Sequence, residues 1–122
     1  MTIKGIDHVQ VTIPEGSENE AREFYCNFLG LQEVEKPEEL KRNGGFWLVL
    51  GDMQVHIGIE NDVIRHISKA HIAYEVTDID SWRKRLSEQQ IEFKEDTPIQ
   101  GFDRLSFRDP FGNKIEFLEP CN

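Results

Sequence analysis

Three histidines and one glutamate occupy corresponding places in four strand-like segments of the chain. His8 begins HVQVTI and His71 begins HIAYEV, while His56 and Glu116 lie inside QVHIGIE and KIEFLE. Successive side chains of a strand point to opposite faces, so each of the four lies on the face away from the main apolar residues. Imidazole and carboxylate groups are typical ligands of borderline divalent metals. The four residues are therefore candidate metal ligands.

The spacing of these residues indicates an internal duplication. His71 follows His8 by 63 residues, Glu116 follows His56 by 60, and the intervening elements recur in the same order. A single histidine on a strand is more often solvent-facing or hydrogen-bonded than bound to metal. Three histidines and a glutamate at repeat-related positions favour a shared metal site. The fourth histidine, His66, lies in a connector.

The first repeat is read as a strand, a helix and three further strands. Apolar residues of SENEAREFYCNFLGL recur with the spacing of an amphipathic helix. Ser17 is a candidate N-cap that forms a capping box with Glu20, and Gly30 can end the helix in a left-handed conformation. A short strand at 31–34 and a polar loop, EKPEELKRNGG, lead to two strands around a Gly51–Asp52 turn.

The second repeat follows the same order after the connector NDVIRHISK. The strand AHIAYEV precedes a helix with an apolar stripe of Ile79, Trp82 and Leu86 and with Asp78 or Asp80 as its cap. A short strand, IEFKED, leads to a hairpin whose turn, DPFGN, has proline and glycine where turns favour them. The chain therefore consists of two similar modules of α+β class.

The composition predicts a single globular domain without a nucleic-acid or membrane partner. The 122 residues carry 14 basic and 23 acidic side chains, a formal net charge of −9, which disfavours binding to a phosphate backbone. No apolar run approaches the ~20 residues of a membrane-spanning helix, and MTIKGIDHV lacks the apolar centre of a signal peptide. We expect a cytoplasmic protein in which Cys26 and Cys121 are reduced, and Cys26 is a packing residue rather than a nucleophile.

Several landmarks of this pattern resemble the vicinal oxygen chelate superfamily. That superfamily includes glyoxalase I, bleomycin-resistance proteins, fosfomycin-resistance thiol transferases, methylmalonyl-CoA epimerase and extradiol dioxygenases. The landmarks are IDHVQVTI, AREFYCNFLGL, AHIAYEV and RDPFGNKIEFLEP, and the resemblance covers essentially the whole chain. DPFGNKIE is the most specific motif, because it is a variant of the DPxGxxxE ending that many members carry.

The resemblance implies a fold and an assembly. The fold is two tandem βαβββ modules that form a cupped eight-stranded mixed sheet, the glyoxalase/bleomycin resistance/dihydroxybiphenyl dioxygenase fold. The chain is then one domain over residues 1–122, with a first module at about 1–60, a connector at about 61–69 and a second module at about 70–120. Single-domain members commonly dimerise, so a homodimer is expected.

The resemblance also implies a ligand set. His8, His56, His71 and Glu116 match the family's four metal-ligand positions, and the glutamate of the DPxGxxxE ending is the last ligand in metal-binding members. Mixed imidazole and carboxylate ligation discriminates weakly among Zn, Ni, Fe, Mn and Co, so any of these divalent ions is an expected cofactor. Each site takes its ligands from one chain or from both chains of the dimer.

The implied activity is a metal-dependent, glyoxalase-like reaction on a small molecule. Isomerase or lyase, thiol-transferase and dioxygenase chemistry share a metal that chelates adjacent oxygens and stabilises a developing enolate or alkoxide. Glyoxalase I usually has a glutamate where this chain has His56, so glyoxalase I activity is expected to be weak or absent. The substrate stays open among a methylglyoxal adduct, an acyl-CoA thioester, an antibiotic and a catechol.

The catalytic base is sought among residues that can accept a proton. Glu116 is the residue assigned to catalysis; Glu60 and Glu75 are also candidates, although both are more often solvated strand-end residues, and Tyr74 falls on the helix-facing side. Aromatic residues that could line the pocket, or simply belong to the core, are Phe46, Trp47 and Phe102.

A different class of function is a metal-free, bleomycin-resistance-like protein. Such a protein would bind a cationic drug in an acidic groove lined by aromatic residues, and a net charge of −9 is compatible with that role. It gives no reason for three histidines and a glutamate at the ligand positions. Bound metal in protein purified without chelator would separate the two classes.

Overall fold

The computed structural model describes residues 1–121 and divides into two compact units, Met1–Val63 and a second that begins at Ile64. Elements of the first unit are β1 (His8–Ile13), α1 (Glu18–Arg22) with a π-helical continuation (Glu23–Phe28), β2 (Gln32–Val34), a 3₁₀ helix (Glu38–Asn43), β3 (Phe46–Leu50) and β4 (Met53–Ile59). Elements of the second unit are β5 (His71–Glu75), α2 (Ile79–Glu88), β6 (Phe93–Glu95), β7 (Phe102–Arg108) and β8 (Lys114–Pro120).

Each unit forms its own four-stranded mixed sheet. The strand order is β1-β4-β3-β2 in the first module and β5-β8-β7-β6 in the second. The β1·β4 and β5·β8 pairs are parallel, and the other pairs are antiparallel. The eight predicted strands are present, four in each module, and the predicted fold class of two tandem βαβββ modules is confirmed.

The core of each module lies on the face of the sheet that meets the helix. In the first module, Leu48 is fully buried, and α1 lies on the same side because the Arg22 guanidinium sits 4.7 Å from the Phe46 ring centroid. In the second, Trp82 of α2 meets Phe117 of β8 edge-on, 5.0 Å between ring centroids. The opposite face of each sheet, called here the polar face, carries the candidate ligands.

The first helix differs from the prediction at its start and in its second half. The Ser17 hydroxyl donates to the Pro14 carbonyl instead of accepting from the helix, so the predicted capping box with Glu20 is wrong. From Glu23–Phe28 the helix is π-helical, a wider winding that the apolar spacing does not reveal. Gly30 follows the helix at φ +82°, the left-handed conformation predicted for it.

Two connecting segments were predicted with unequal success. The polar stretch assigned to a loop contains the 3₁₀ helix Glu38–Asn43, which begins directly after Pro37, where φ is −55°. The cap of α2 is Asp78 rather than Asp80, because the Asp78 carboxylate accepts a hydrogen bond from the Ser81 backbone N–H.

The DPFGN turn forms as predicted and is organised by its first residue. Asp109 is only 5% exposed, and its Oδ1 accepts from the backbone N–H groups of Phe111 and Asn113 at 2.9 and 2.8 Å. This internal hydrogen bonding fixes the start of β8, the strand that carries Glu116. Within residues 1–121, none of the helices is long and apolar enough to cross a membrane.

Candidate functional site

The first module brings His8 and His56 into contact on its polar face. In the parallel register His56 lies opposite Gln10, two residues along β1 from His8. The two imidazole rings stack with their centroids 4.0 Å apart and their planes 15° apart. Trp47, which lies opposite His56 on β3, stacks on its other side at 3.9 Å and 3°. These three rings form a continuous stack across β1, β4 and β3, called here the ring stack.

Hydrogen bonds determine which imidazole nitrogens of the ring stack can bind a metal. Nδ1 of His8 lies 2.9 Å from an oxygen of the Asp7 carboxylate, so Nδ1 carries the hydrogen of this bond, and in the neutral imidazole Nε2 has the lone pair. His56 has the opposite arrangement, because its Nε2 lies 2.9 Å from the amide oxygen of Gln54. Burial lowers the pKa of His56, and the neighbouring His8 lowers it further. His56 is therefore held as the neutral imidazole, which is the form that binds metals.

The second module brings His71 and Glu116 together in the corresponding places. His71 Nδ1 lies 2.8 Å from the backbone carbonyl oxygen of Lys69, which can only accept, so a hydrogen is on Nδ1, and in the neutral imidazole the lone pair is on Nε2. Nε2 of His71 is 3.5 Å from Oε1 of Glu116. The Glu116 side chain is only 11% exposed, and its other oxygen is 3.5 Å from Nη1 of Arg104. A free imidazole nitrogen thus faces a largely buried carboxylate.

The four predicted ligands are therefore assembled as two pairs, one on the polar face of each module. Among residues 1–121, no three His, Cys, Asp or Glu side chains gather closely enough to hold a metal ion. The chemistry of the donors nevertheless suits a divalent ion. Both first-strand histidines donate through Nδ1 to an oxygen, the arrangement by which metal-binding histidines are usually oriented. Imidazole and carboxylate donors suit Zn, Ni, Fe, Mn and Co alike.

A cleft of about 500 Å³ opens on the polar face of the first module. Its lining includes both histidines and Trp47, together with Gln10, Gln54 and Lys36. Of the other predicted pocket aromatics, Phe46 is a core residue at 1% exposure and Phe102 is 41% exposed. The ring stack therefore supplies the aromatic wall of this cleft.

The structure also separates the candidates for the general base. Tyr74 is buried on the core side, where desolvation and the nearby Asp109 raise its pKa to about 12, so it is a poor base at neutral pH. Glu60 accepts the Thr12 hydroxyl at 2.9 Å, and Glu75 is exposed. Among these candidates only Glu116 faces a predicted ligand.

Cys26 lacks the environment of a catalytic nucleophile. Cys26 and Cys121 are free thiols, and burial raises the pKa of Cys26, which disfavours a nucleophilic thiolate.

Sequence reasoning missed the partners that orient the histidines, Asp7, Gln54 and the Lys69 carbonyl. Each lies one or two residues before its histidine, so adjacent polar residues were the available signal.

Solved structures share this architecture. A protein from Bacillus anthracis assigned to the glyoxalase family is 44% identical, with 99% of this chain and 98% of that chain covered and a TM-score of 0.91. FosX, a fosfomycin resistance protein from Listeria monocytogenes solved with Mn(II) and sulfate, is 18% identical over 98% and 93% of the two chains, with a TM-score of 0.78. Lactoylglutathione lyase from Agrobacterium tumefaciens is 18% identical over 97% and 95%, with a TM-score of 0.74.

Sequence comparison agrees with these structural likenesses at the level of the family. No curated protein matches the sequence. The family model of the Glyoxalase/Bleomycin resistance protein/Dioxygenase superfamily matches residues 5–117, a range that includes both modules and all four predicted ligands. Because that match covers most of the chain, and because both modules have the βαβββ order, the chain belongs to the glyoxalase/bleomycin resistance protein/dioxygenase superfamily.

Proposed function

We propose that this protein is a divalent-metal-dependent enzyme that acts on a small molecule by chelating vicinal oxygens. His8, His56, His71 and Glu116 are the proposed ligands. The observation that carries the proposal is the shared orientation of the two first-strand histidines. In both modules Nδ1 is held by an oxygen acceptor, which leaves the Nε2 lone pair available on the polar face.

The four proposed ligands do not contribute equally. His8 and His71 have free Nε2 atoms, and Glu116 presents Oε1 to His71. His56 has its Nε2 bonded to Gln54, so it joins as a fourth ligand through Nδ1 or after that hydrogen bond opens. A bound metal of this kind supplies Lewis-acid stabilisation of an enolate or alkoxide. Glu116, largely buried and beside His71, is the proposed residue that exchanges a proton with the substrate.

A complete site requires the His8/His56 pair and the His71/Glu116 pair to act together. We propose that they do so within a single-domain chain that forms a homodimer, with the two pairs contributed by one chain or by two. FosX, which has the same fold, was solved with Mn(II), and another structure of this fold is named as a lyase. The metal identity, the reaction class and a cytoplasmic location remain predictions for this chain.

Metal content is the direct test. Protein purified without chelator and supplemented with Zn, Ni, Fe, Mn or Co in turn should hold about one ion per chain by elemental analysis. Mixing His8→Ala with Glu116→Ala protein should restore part of the binding if each site uses ligands from two chains. Sedimentation of the wild type should show a dimer at micromolar concentration. Absence of metal after supplementation with all five ions would falsify the enzyme proposal.

The alternative is a metal-free protein that binds a cationic, drug-like molecule. The observation that favours it is the cleft of the first module, where the ring stack offers a flat aromatic surface in a chain of net charge −9. Saturable binding of bleomycin to chelator-treated protein, weakened by Trp47→Ala and undiminished by Glu116→Ala, would support this function over the enzyme.

A further inference from the structure

We propose that the polar face of the second module contains an oxyanion subsite that binds a phosphoryl group of the substrate next to Glu116. The subsite is a cleft of about 500 Å³ at β6, β7 and β8, called here the β6–β8 cleft. Its polar lining residues are Glu92, Lys94, Ser106, Arg108 and Lys114. The link between this subsite and catalysis rests on the proposed function, whereas the anion site itself depends only on the residues of the cleft.

Strand register brings these residues together from separate parts of the sequence. Ser106 lies opposite Lys94 on one side and opposite Glu116 on the other, and Arg108 lies opposite Lys114. Residues directly opposite one another in a sheet share a face, so all five belong to the polar face. The cleft therefore adjoins the proposed metal ligand Glu116 through the Ser106–Glu116 pair.

The charges in the β6–β8 cleft are poorly compensated by the protein. Arg108 and Lys114 are like charges directly opposite one another, a pairing that destabilises a sheet. Arg108 Nη1 donates to the backbone carbonyls of Arg65, Ser68 and Gly112, which hold the guanidinium in place without neutralising it. In the chain as described to residue 121, no carboxylate pairs with the ammonium groups of Lys94 or Lys114. An anion would offset this positive charge.

Acidic groups near the cleft limit where the anion can sit. Glu92 is the acidic residue of the lining. Ser106 donates to Oδ1 of Asp96 at 3.0 Å, so its hydroxyl hydrogen is already used, and recognition depends on the cations. Arg104, on the same face of β7, has a buried Nε without a hydrogen-bond partner among the described residues. Oδ2 of Asp96 is likewise buried without a partner among them, and Arg104 is not among the residues that line the cleft, so the assignment of an anion depends on Lys94, Arg108 and Lys114.

The chemistry of the cations specifies the ligand class. Two lysines are mobile point charges, and Arg108 is a planar donor held in a fixed position. This combination suits a compact, doubly charged oxyanion such as a phosphoryl group better than a singly charged carboxylate. A substrate could then place its vicinal oxygens at the metal held by Glu116 and its phosphoryl group in the adjoining β6–β8 cleft.

The subsite is tested by titrating chelator-treated protein with inorganic phosphate at low ionic strength and measuring the heat of binding by calorimetry. Wild type should bind saturably, and Lys94→Gln or Lys114→Gln should each weaken binding about tenfold. The matched control is Lys84→Gln, the same change of charge at an exposed residue of α2, which should alter binding less than about twofold. Equal weakening by all three variants, or no saturable binding, would overturn the proposal.

Two further experiments identify the class of ligand and distinguish failure of the phosphate site from failure of the metal site. Acetate should bind more weakly than phosphate, and equal affinity for the two would refute the phosphoryl assignment. His71→Ala should lose metal and keep wild-type phosphate affinity, whereas Lys94→Gln should keep metal and bind phosphate about tenfold more weakly. Phosphate binding in a protein that takes up no metal would uphold the anion site while the proposed enzyme function fails.

Discussion

The two modules have the same strand order, yet their polar faces are built differently. In the first, His56 lies opposite Trp47 and belongs to a stack of three aromatic rings. In the second, Glu116 lies opposite Ser106, and one of its carboxylate oxygens is 3.5 Å from Nη1 of Arg104. The two modules thus place a candidate ligand at the same strand position, whereas the cross-strand neighbour, Trp47 for His56 and Ser106 for Glu116, gives it different surroundings.

The same contrast extends to the residues that lie opposite the first-strand histidines in the parallel pairs. Gln54 lies opposite His8, and Lys114 lies opposite His71. The first pair of positions carries no formal charge when the histidine is neutral, and the second places a cation beside the site. The lining of the first-module cleft includes one cation, Lys36, whereas that of the second-module cleft includes three, Lys94, Arg108 and Lys114.

The largest expected effect is the loss of metal affinity when a proposed ligand is replaced by alanine. Glu116→Ala and His71→Ala should each lower Zn²⁺ affinity by more than about a hundredfold, because even loss of an outer hydrogen-bond partner costs ~10–100-fold. His56→Ala should cost only about tenfold, since Gln54 already occupies its Nε2. Competition with a chromophoric chelator measures these affinities. His66→Ala is the control, and an equal loss for His56→Ala and Glu116→Ala would contradict the proposed difference between the modules.

The hairpin turns of the two modules should differ in their tolerance of alanine. At Gly112, φ is +103° and an added Cβ would lie 2.8 Å from the His66 backbone nitrogen, so Gly112→Ala should destabilise the fold by about 3 kcal/mol. At Gly51, φ is +58° and the space is open, so Gly51→Ala should cost about 1 kcal/mol. Urea unfolding measures both free energies. Equal costs would show that the turn of the second module relaxes freely.

The ion pairs that join helix and sheet should differ in strength and in pH dependence. Among residues 1–121, Glu33 is the one carboxylate to which Arg22 donates, whereas Arg83 donates to Asp80, Glu95 and Asp103 at 2.6–3.1 Å. After allowing for solvent screening of these partly exposed carboxylates, Arg83→Met should lower the free energy of unfolding by about 2 kcal/mol and Arg22→Met by about 1 kcal/mol.

The stability difference between wild type and Arg83→Met should depend on pH because Asp103 titrates. Arg83 holds the pKa of Asp103 below its usual range, so this carboxylate stabilises the folded state above its ordinary pKa of ~4 and loses that effect as pH falls through the lowered pKa. The difference between wild type and Arg83→Met should therefore shrink below about pH 4. Urea unfolding from pH 7 to pH 3 checks this; a difference that stays constant over that range would argue against the ion pair as its source.

The smallest expected effect comes from making the first module resemble the second. His56→Glu places a carboxylate where Glu116 stands in the other module and supplies a displaceable base. Glyoxalase I turnover of the methylglyoxal–glutathione adduct should be weak or absent in wild type and about tenfold higher in His56→Glu, assayed with several metals. His56→Gln controls for loss of the imidazole. Robust wild-type activity, undiminished relative to His56→Glu, would show that the missing carboxylate is unimportant.

Local patterns were sufficient to predict the strand order and the sheet face on which the four candidate ligands lie. Alternation of apolar and polar residues has a period of two in a strand, so the face on which His8 or Glu116 lies can be read from its immediate neighbours. The glycines at 30 and 51 and the DPFGN turn likewise depend on local backbone preferences, and each was placed correctly. Capping at Ser17 failed because a competing acceptor, the Pro14 carbonyl, took its hydroxyl.

Tertiary structure alone decided what each donor contacts. The free nitrogen of His71 depends on a carbonyl that reaches Nδ1, and the ring stack depends on β3 and β4 aligning Trp47 with His56. The cations of the β6–β8 cleft are up to 20 residues apart in the sequence and meet only through strand register. Side-chain periodicity is a local property of the backbone, whereas register, hydrogen-bond partners and charge clustering depend on pairing between distant segments, which no single segment encodes.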